Sequence, residues 1–448
     1  MNNFKLPPEV LTVIERLNEN GFEAYAVGGC IRNYLLGTEP EDYDVTTSAK
    51  PDEMKMVFEG LRTVETGIKY GTLTVISGEM PVEVTTYRVD GEYTDNRRPE
   101  NVTFTTKLAE DLKRRDFTIN AMAYNPAVGI VDIFGGRSDL EKGIVRAIGD
   151  PDERFNEDGL RILRALRFAS CCGLTIEENT AGSVHRNRQL LENIAGERIA
   201  SELNKLLCGN CENVLREFYD VFAVFLPEIA VCRGFEQHNK YHDRDVLEHI
   251  IATVAAIDPI PHLRLTMLLH DIGKPEYFTV GEDGTGHFKG HAKGSVRIAE
   301  NFLKRMKYGN EISGKVIRLV ETHDIPIENR RNLIKRYLNR YGQDMFFDML
   351  KVHIADDMGK NVSCRERIKI YNAAAETARE IISENECFSL KDLAVNGNDM
   401  KKIGYSGAEI GIVLHKLLEA VIDEKYENNR SSLIAYANDL YEKNGDIN

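Results

Sequence analysis

No stretch of this 448-residue sequence is apolar over the ~20 residues that a bilayer crossing needs. Its first segment, MNNFKLPPEVLTVIERLNENGF, has the spacing of an amphipathic helix rather than the make-up of a signal peptide, so a cytoplasmic protein without a membrane partner is expected. Cysteine is sparse: eight residues are scattered along the chain, with Cys171 and Cys172 adjacent, which is not the dense framework of a small secreted fold. Reduced thiols are expected. Positive charge is short as well, 57 Lys and Arg standing against 71 Asp and Glu for a net −14. Taken alone, that balance argues against a nucleic-acid partner, because phosphate contacts need Lys and Arg to displace counterions. No internal repeat and no low-complexity tract interrupts the chain.

What is present is the balance of an ordinary soluble protein, 42% hydrophobic and 29% charged, at a length that allows two to four domains. Arginines cluster at Arg97 and Arg98, at Arg114 and Arg115, and through Arg161, Arg164 and Arg167. A local positive groove on an acidic protein is compatible with that distribution, although a solvated helix face explains any single cluster.

The first ~150 residues alternate short β-rich runs with helical patterns, AYAVGG, DYDVTT, TLTVIS and VEVTTYR reading as strands. From about Asp150 onward RILRALRFAS, ERIASELNKLL, DVLEHIIATVAAI, LRLTMLLHDIG and GSVRIAENFLKRM show apolar spacing near 3.6, so the remainder is mostly helical. GDPDERF, DPIPH and GEDGTGHFKG mark boundaries or functional loops.

In AYAVGGCIRNYLLGTEPEDYDVTTSA a strand ends in Gly28 and Gly29 and a helix opens at once. Free backbone N–H groups there face a place for an anion, and Arg32 adds donors one turn in. Asp42 and Asp44 follow two apart on an extended segment, which puts both carboxylates on one face, suited to one or two Mg²⁺ ions bridging a triphosphate. Glu83 in VEVTTYR is either a third acidic group beside them or an edge-strand glutamate facing water. Arg115 in EDLKRRDFTINAMAY could reach a triphosphate, while Asp116, ahead of an apolar segment ending near Asn120, could fix its geometry or cap a helix.

In RFNEDGLRILRALRFA, a helix would place Asp158 and Arg161 three apart on one face, with Arg164 continuing the row and Arg167 rotating off it. Cytosine offers an amino donor beside the N3 acceptor, and adenine an amino donor beside N1. A carboxylate next to a guanidinium matches both, and uracil and guanine reverse the order. The alternative is an intrahelical ion pair worth ~0.3–0.5 kcal/mol.

VGGCIRNYLLG, EDYDVTTSA, RRDFTINAMAYN and RFNEDGLRILRALRFA, in this order, resemble the motifs of class II CCA-adding enzymes and bacterial poly(A) polymerases over the first ~200 residues. The resemblance implies an α+β protein with a polymerase-β-like head followed by a mostly helical neck, body and tail. It implies Asp42 and Asp44 as ligands of Mg²⁺, Gly29, Arg32 and Arg115 at the triphosphate, and Asp158, Arg161, Arg164 and Arg167 at the incoming nucleotide. The implied substrates are tRNA, CTP and ATP. DGEYTDNRRPENVTF resembles the family's flexible loop, tied to the switch from C to A addition, and SLKDLAVNGNDMKKIGYSGAEIGIVLHKLL its tRNA-binding tail. One departure stands out: where the family has Arg-Asp after its Gly-Gly, this chain has Arg32-Asn33, which removes a charge beside the arginine.

A second constellation runs through the middle of the chain. His249, the pair His270 and Asp271, His291, His323 and Asp356 supply imidazole and carboxylate for one or two divalent metals, a set suited to Mn, Fe, Co or Ni. His287 and Asp357 are rivals for the downstream positions. The series resembles HD-superfamily phosphohydrolases, with His270-Asp271 as the naming pair, and the resemblance implies hydrolysis of cyclic or terminal phosphates. The expected organisation is a head at 1–150, a neck at 151–215, an HD body at 216–365 and a tail at 366–448.

GNEISGKV has P-loop spacing but carries Val316 where Ser or Thr should hold Mg²⁺, and the lone Cys208–Cys211 CxxC lacks a second pair; neither carries function. Three competing readings remain: an enzyme adding only A, a guanosine tetraphosphate synthetase and hydrolase, and a non-catalytic RNA-binding scaffold. In the second the HD domain would come first, and against the third stands the intact Asp42–Asp44 pair.

Overall fold

The structure is a computed structural model that describes residues 4–40, 42–91 and 102–445. Arg97, Arg98 and the middle of DGEYTDNRRPENVTF therefore lie outside the described residues. The chain forms two units, Met1–Ala230 with Phe302–Tyr308, and Val231–Asn301 with Gly309–Asn448.

The first unit begins with helix α1 (Pro8–Glu19), where Pro8 at the first turn costs no hydrogen bond and Val10, Val13, Ile14 and Leu17 line the buried face. Each such aliphatic contributes roughly 1.5–3 kcal/mol on burial. The strands are β1 (Ala24–Val27), β2 (Asp44–Thr47), β3 (Arg62–Val64), β4 (Thr72–Ser77), β5 (Met80–Thr86), β6 (Arg88–Asp90), β7 (Val102–Phe104), β8 (Met122–Asn125) and β9 (Gly129–Asp132). Seven of them make one sheet in the order β3-β4-β5-β2-β1-β8-β9, with β2 and β5 parallel and the other pairs antiparallel. TLTVIS alternates buried and half-buried positions along β4, so one face meets the core under α1. All four runs read as strands in the sequence lie in this sheet. Helices α2 (Gly29–Leu35), α3 (Pro51–Val57), α4 (Leu108–Lys113) and α5 (Gly136–Glu141) connect the strands.

Beyond the sheet the unit is helical: α6 (Pro151–Glu157), α7 (Leu160–Cys172), α8 (Glu178–Asn187), α9 (Gly196–Leu207), α10 (Glu212–Glu217), α11 (Tyr219–Phe222) and α12 (Glu228–Cys232). The apolar stripes of RILRALRFAS and ERIASELNKLL bury Ile162, Leu163 and Leu166 on α7 and Ile199, Leu203 and Leu206 on α9, which pack together.

The second unit carries α13 (Val246–Ala256), α14 (Pro261–Leu269), α15 (His291–Arg305) as far as Asn301, α16 (Asn310–Thr322), α17 (Arg331–Tyr341), α18 (Gln343–Gly359) and α19 (Ile368–Ser383). Helices α13, α14, α16 and α18 pack on one another. The last helices, α20 (Gly397–Ile403), α21 (Ala408–Ile422) and α22 (Arg430–Gly445), enclose a separate core around Met400, Leu417, Leu418 and Leu433. GNEISGKV begins α16 with no strand before it, and among the described residues all cysteines are free thiols. No described helix is long and apolar enough to cross a membrane.

Candidate functional site

The head cleft is built where β1 ends and β2 begins. Gly28 adopts φ +81, a left-handed conformation that a side chain would strain, and a Cβ there would stand 3.3 Å from Arg115 Nη1. Helix α2 starts at the next residue. A Cβ on Gly29 would stand 3.6 Å from Arg32 Nη2 and 3.8 Å from Asp42 Oδ1, so both groups close on this helix start. Asp44 opens β2 opposite Val27 of β1 on one side and Glu83 of β5 on the other. Strand β5 is interior, between β4 and β2, so Glu83 is not an edge-strand residue; it stands in register with Asp44. Crowding by protein, opposed by Arg115 and reinforced by Asp42 and Glu83, pushes the Asp44 carboxyl up to about 6, although the side chain is open to solvent on its cleft side. Asp42 and Glu83 thus act on Asp44 electrostatically, and a cation held at Asp44 would offset that repulsion.

Two arginines face this acidic floor. Arg115 makes one ion pair, at 3.5 Å, with Asp111 Oδ2, and its buried Nε has no hydrogen-bond partner. Arg32 is held by neutral amides: its Nε and Nη2 donate to Asn33 Oδ1 at 3.2 and 2.8 Å, and Nη1 donates to Asn120 Oδ1 at 2.5 Å. Asn33 therefore keeps the arginine in place without cancelling its charge.

The neck differs from the sequence expectation in one respect. Asp158 is not on a helix; it is extended at φ −140 and ψ 104 between the end of α6 and the start of α7, where its carboxylate accepts from Leu160 N. Gly159 is already helical at φ −57 and ψ −24, so the extended Asp158 alone separates α6 from α7 and an uninterrupted helical row from 158 to 167 does not form. Asp158 and Arg161 are not paired with each other. Asp158 pairs with Arg198 at 3.1 Å and Arg161 with Glu157 at 2.5 Å, while Arg161 Nη2 also donates to the Arg114 carbonyl. Arg164 is held by Asp116 at 2.5 Å and Arg167 by Glu202 at 3.2 Å. Asp116 thus serves Arg164 rather than Arg115, and it also accepts from Phe117 N and Asn120 Nδ2. Burial alone would raise its carboxyl; Arg164, Asn120 and Arg161 outweigh that and hold it at about 2.

The second unit brings the six-residue series together completely. His249, His270, Asp271 and Asp356 form one group and Asp271, His291 and His323 another, sharing Asp271. Asp271 Oδ2 lies 3.0 Å from His249 Nε2 and 3.2 Å from His270 Nε2, whereas its Oδ1 lies 3.0 Å from His291 Nε2 and 3.4 Å from His323 Nε2. Each imidazole turns Nδ1 to a backbone carbonyl: His249 to Gly359, His270 to Met267, His291 to Phe288 and His323 to Val320. With Nδ1 as the donor, all four Nε2 lone pairs face one another and the carboxylates, contacts that attract only around a cation. Asp356 Oδ1 points into the same space as a buried acceptor without a hydrogen-bond donor. Gly359 has to be glycine, since a Cβ would come 2.5 Å from Thr253 Cγ2 and 3.2 Å from His249 Nδ1. The rivals fall outside both groups: His287 is in a surface strand, and Asp357 pairs with Arg367. A cavity of about 490 Å³ opens beside the cluster and is also lined by Lys274, His353, Lys360, Arg367 and Tyr371.

Residues 24–146 match the model of the Poly A polymerase head domain, residues 173–232 that of the probable RNA and SrmB- binding site of polymerase A, and residues 291–437 that of tRNA nucleotidyltransferase domain 2. A CCA-adding enzyme of Lactobacillus delbrueckii subsp. bulgaricus is 32% identical over 96% of both chains. The chain belongs to the class II CCA-adding and poly(A) polymerase family. A CCA-adding enzyme of Streptococcus suis is 31% identical over 97% of both chains. The crystal structure of the Bacillus stearothermophilus CCA-adding enzyme in complex with CTP superposes with a TM-score of 0.72 at 26% identity, covering 99% of this chain and 100% of that one. As a member of this family the protein is a tRNA nucleotidyltransferase.

Several residues that shape these sites in this family member carry no signal in the sequence. Asn120, Arg198 and Glu202 reach their arginine or aspartate partners only through folding. Lys274 and Lys360 are more accessible to sequence reasoning, standing three after Asp271 and four after Asp356, and they do pair with those carboxylates.

Proposed function

We propose that this protein adds C and A residues to the 3′ end of tRNA in the cytoplasm, transferring CMP and AMP from CTP and ATP. The observation that carries the reading is the conjunction of Asp42 and Asp44 with Arg32 and Arg115 around the start of α2. In the transfer the tRNA 3′ oxygen bonds to the α-phosphorus while the bond to the bridging β-phosphate oxygen breaks and pyrophosphate leaves. Asp42 and Asp44 would hold Mg²⁺, which supplies charge neutralisation at the reacting phosphate. Two protein carboxylates suit a cation that takes most of its ligands from substrate oxygens and water. Arg32 and Arg115, with the free N–H groups of α2, bind and orient the triphosphate. Asp158 and Arg161 read the base edge, with Arg164 and Arg167 completing the nucleotide site. In this reading residues 1–150 are the head, 151–215 the neck and 366–448 a tRNA-binding tail.

Incubation with tRNA lacking its 3′ end, or ending after each C, with CTP and ATP supplied singly and together, tests this by product length. Stepwise addition of two C and one A is expected. Growth by A alone would identify an A-adding enzyme or poly(A) polymerase instead.

One observation favours a second activity in the same chain. The convergence of four imidazole Nε2 atoms on Asp271 makes two donor groups with that carboxylate in common, which would hold divalent ions, with Mn, Fe, Co or Ni suited to the donor set. Residues 216–365 then form a metal-dependent phosphohydrolase, and Lys274, Lys360 and Arg367 would contact a phosphate ester in the cavity. Metal analysis of the purified protein should find two equivalents per chain, falling to one or none for His291→Ala and to none for Asp271→Ala. Hydrolysis of 2′,3′-cyclic or terminal phosphates should disappear with the metal while nucleotide addition persists. Wild-type protein that binds none of these metals would leave the cluster a structural feature.

A further inference from the structure

Phe168 sits on α7 at 4% exposure, its ring in edge contact with Phe117 at 5.7 Å. Three guanidinium groups lie over that one ring: Arg167 at 4.2 Å from its centroid, Arg32 at 4.8 Å and Arg164 at 5.4 Å. Arg164 and Arg167 share its helix, whereas Arg32 arrives from α2 in the head. Like charges do not gather around an apolar side chain without compensation. Asp116 and Glu202 provide it for Arg164 and Arg167. Arg32 donates to the amide oxygens of Asn33 and Asn120 and also meets the Cys172 thiol, all of them uncharged partners. The negative face of an aromatic ring attracts a guanidinium yet carries no net charge, so it fixes the cation while leaving its charge for an anion. A carboxylate in the same place would hold Arg32 equally well and cancel the property that a triphosphate needs.

We propose that Phe168 is a positioning residue for the incoming nucleotide, its ring holding Arg32, Arg164 and Arg167 in one arrangement so that triphosphate and base are gripped together. This rests on the assignment of those arginines to the nucleotide site. The ring couples the head to the neck at the point where both must meet one ligand. Removing its π-face bears most on Arg32, because the other partners of that arginine are uncharged. Nucleotide affinity should suffer more than the chemical step.

The test is replacement of Phe168 by mono-, di- and trifluorinated phenylalanine in the full-length protein, which drains the negative face stepwise while leaving shape and burial nearly intact. KM for CTP and for ATP should rise with each fluorine, reaching about tenfold for the trifluoro ring, with kcat changing less and the melting temperature nearly constant. Phe168→Leu, which keeps an apolar side chain but no ring, should match or exceed that KM, and Phe168→Tyr should recover most of the affinity. A KM that does not respond to fluorination would show the ring to be packing only and overturn the proposal. Wild-type protein run in parallel separates the two levels: active wild type with indifferent fluorinated variants sinks only the role of Phe168. Wild type without nucleotide addition overturns the nucleotide site itself and this proposal with it.

Discussion

Asn33 accepts two hydrogen bonds from the neighbouring Arg32 guanidinium through its single amide oxygen, at 3.2 and 2.8 Å. The family has aspartate at this position, and the amide reproduces the anchoring function of that side chain while omitting its charge. Asn33→Ala should therefore raise KM for both CTP and ATP by about 5- to 10-fold, the order of one or two lost hydrogen bonds to a charged group. Asn33→Asp keeps both bonds and should stay within about threefold of wild type. Steady-state kinetics decide; an alanine variant with wild-type KM would mean that Asn120 and the Phe168 ring suffice.

Asp42 and Asp44 have no substitute among the described residues of the cleft. Replacing either by alanine should lower nucleotide addition by about three orders of magnitude or more while tRNA affinity, measured by filter binding, changes little. Turnover near wild type in either variant removes the residue from the metal site. Glu83→Gln should cost less, since its carboxylate reaches the cation through its influence on Asp44.

On the proposed reading, selection of C and A rests on Asp158 and Arg161, which are not paired with each other. Asp158→Ala should weaken discrimination against UTP and GTP by about 1–3 kcal/mol. Arg161→Ala should do the same and also destabilise the neck, because Glu157 and the Arg114 carbonyl lose their donor. Arg198→Ala removes the ion pair that holds Asp158 at 3.1 Å and should alter discrimination without touching the base. Misincorporation assays with each nucleotide alone provide the measurement. Unchanged selectivity in both Asp158→Ala and Arg161→Ala would place the template elsewhere.

Acid should act through Asp116. Its carboxyl lies at about 2 in the folded protein, against ~3.9 for a free aspartate. The ionised group therefore stabilises the fold by about 2 kcal/mol above pH ~4, and that contribution fades as pH falls from ~4 towards ~2. Asp116→Asn lacks the titrating group, so the stability gap between wild type and variant in urea melts should narrow below pH ~4. A gap that stays constant with pH would show that Arg164 does not hold the Asp116 carboxyl down.

The sequence alone determined the elements and the chemistry carried by short-range pattern. Alternation in TLTVIS, the 3.6-residue spacing of ERIASELNKLL and the Gly-Gly break before α2 are local preferences, and the structure has each where the pattern put it. Tertiary structure decided which charges meet. Asp158 and Arg161 stand three apart in the chain, yet each has a partner from another position because Asp158 falls in the break before α7. Asp116 and Arg164, or Asn120 and Arg32, are distant in sequence, and no periodicity relates them. The shared role of Asp271 likewise depends on helices α13, α14, α15 and α16 aiming their Nε2 atoms at one carboxylate. A residue's chemical type, its helical or strand phase and its neighbours three or four positions away are written locally; partners distant in the chain follow from packing, which sequence spacing does not encode.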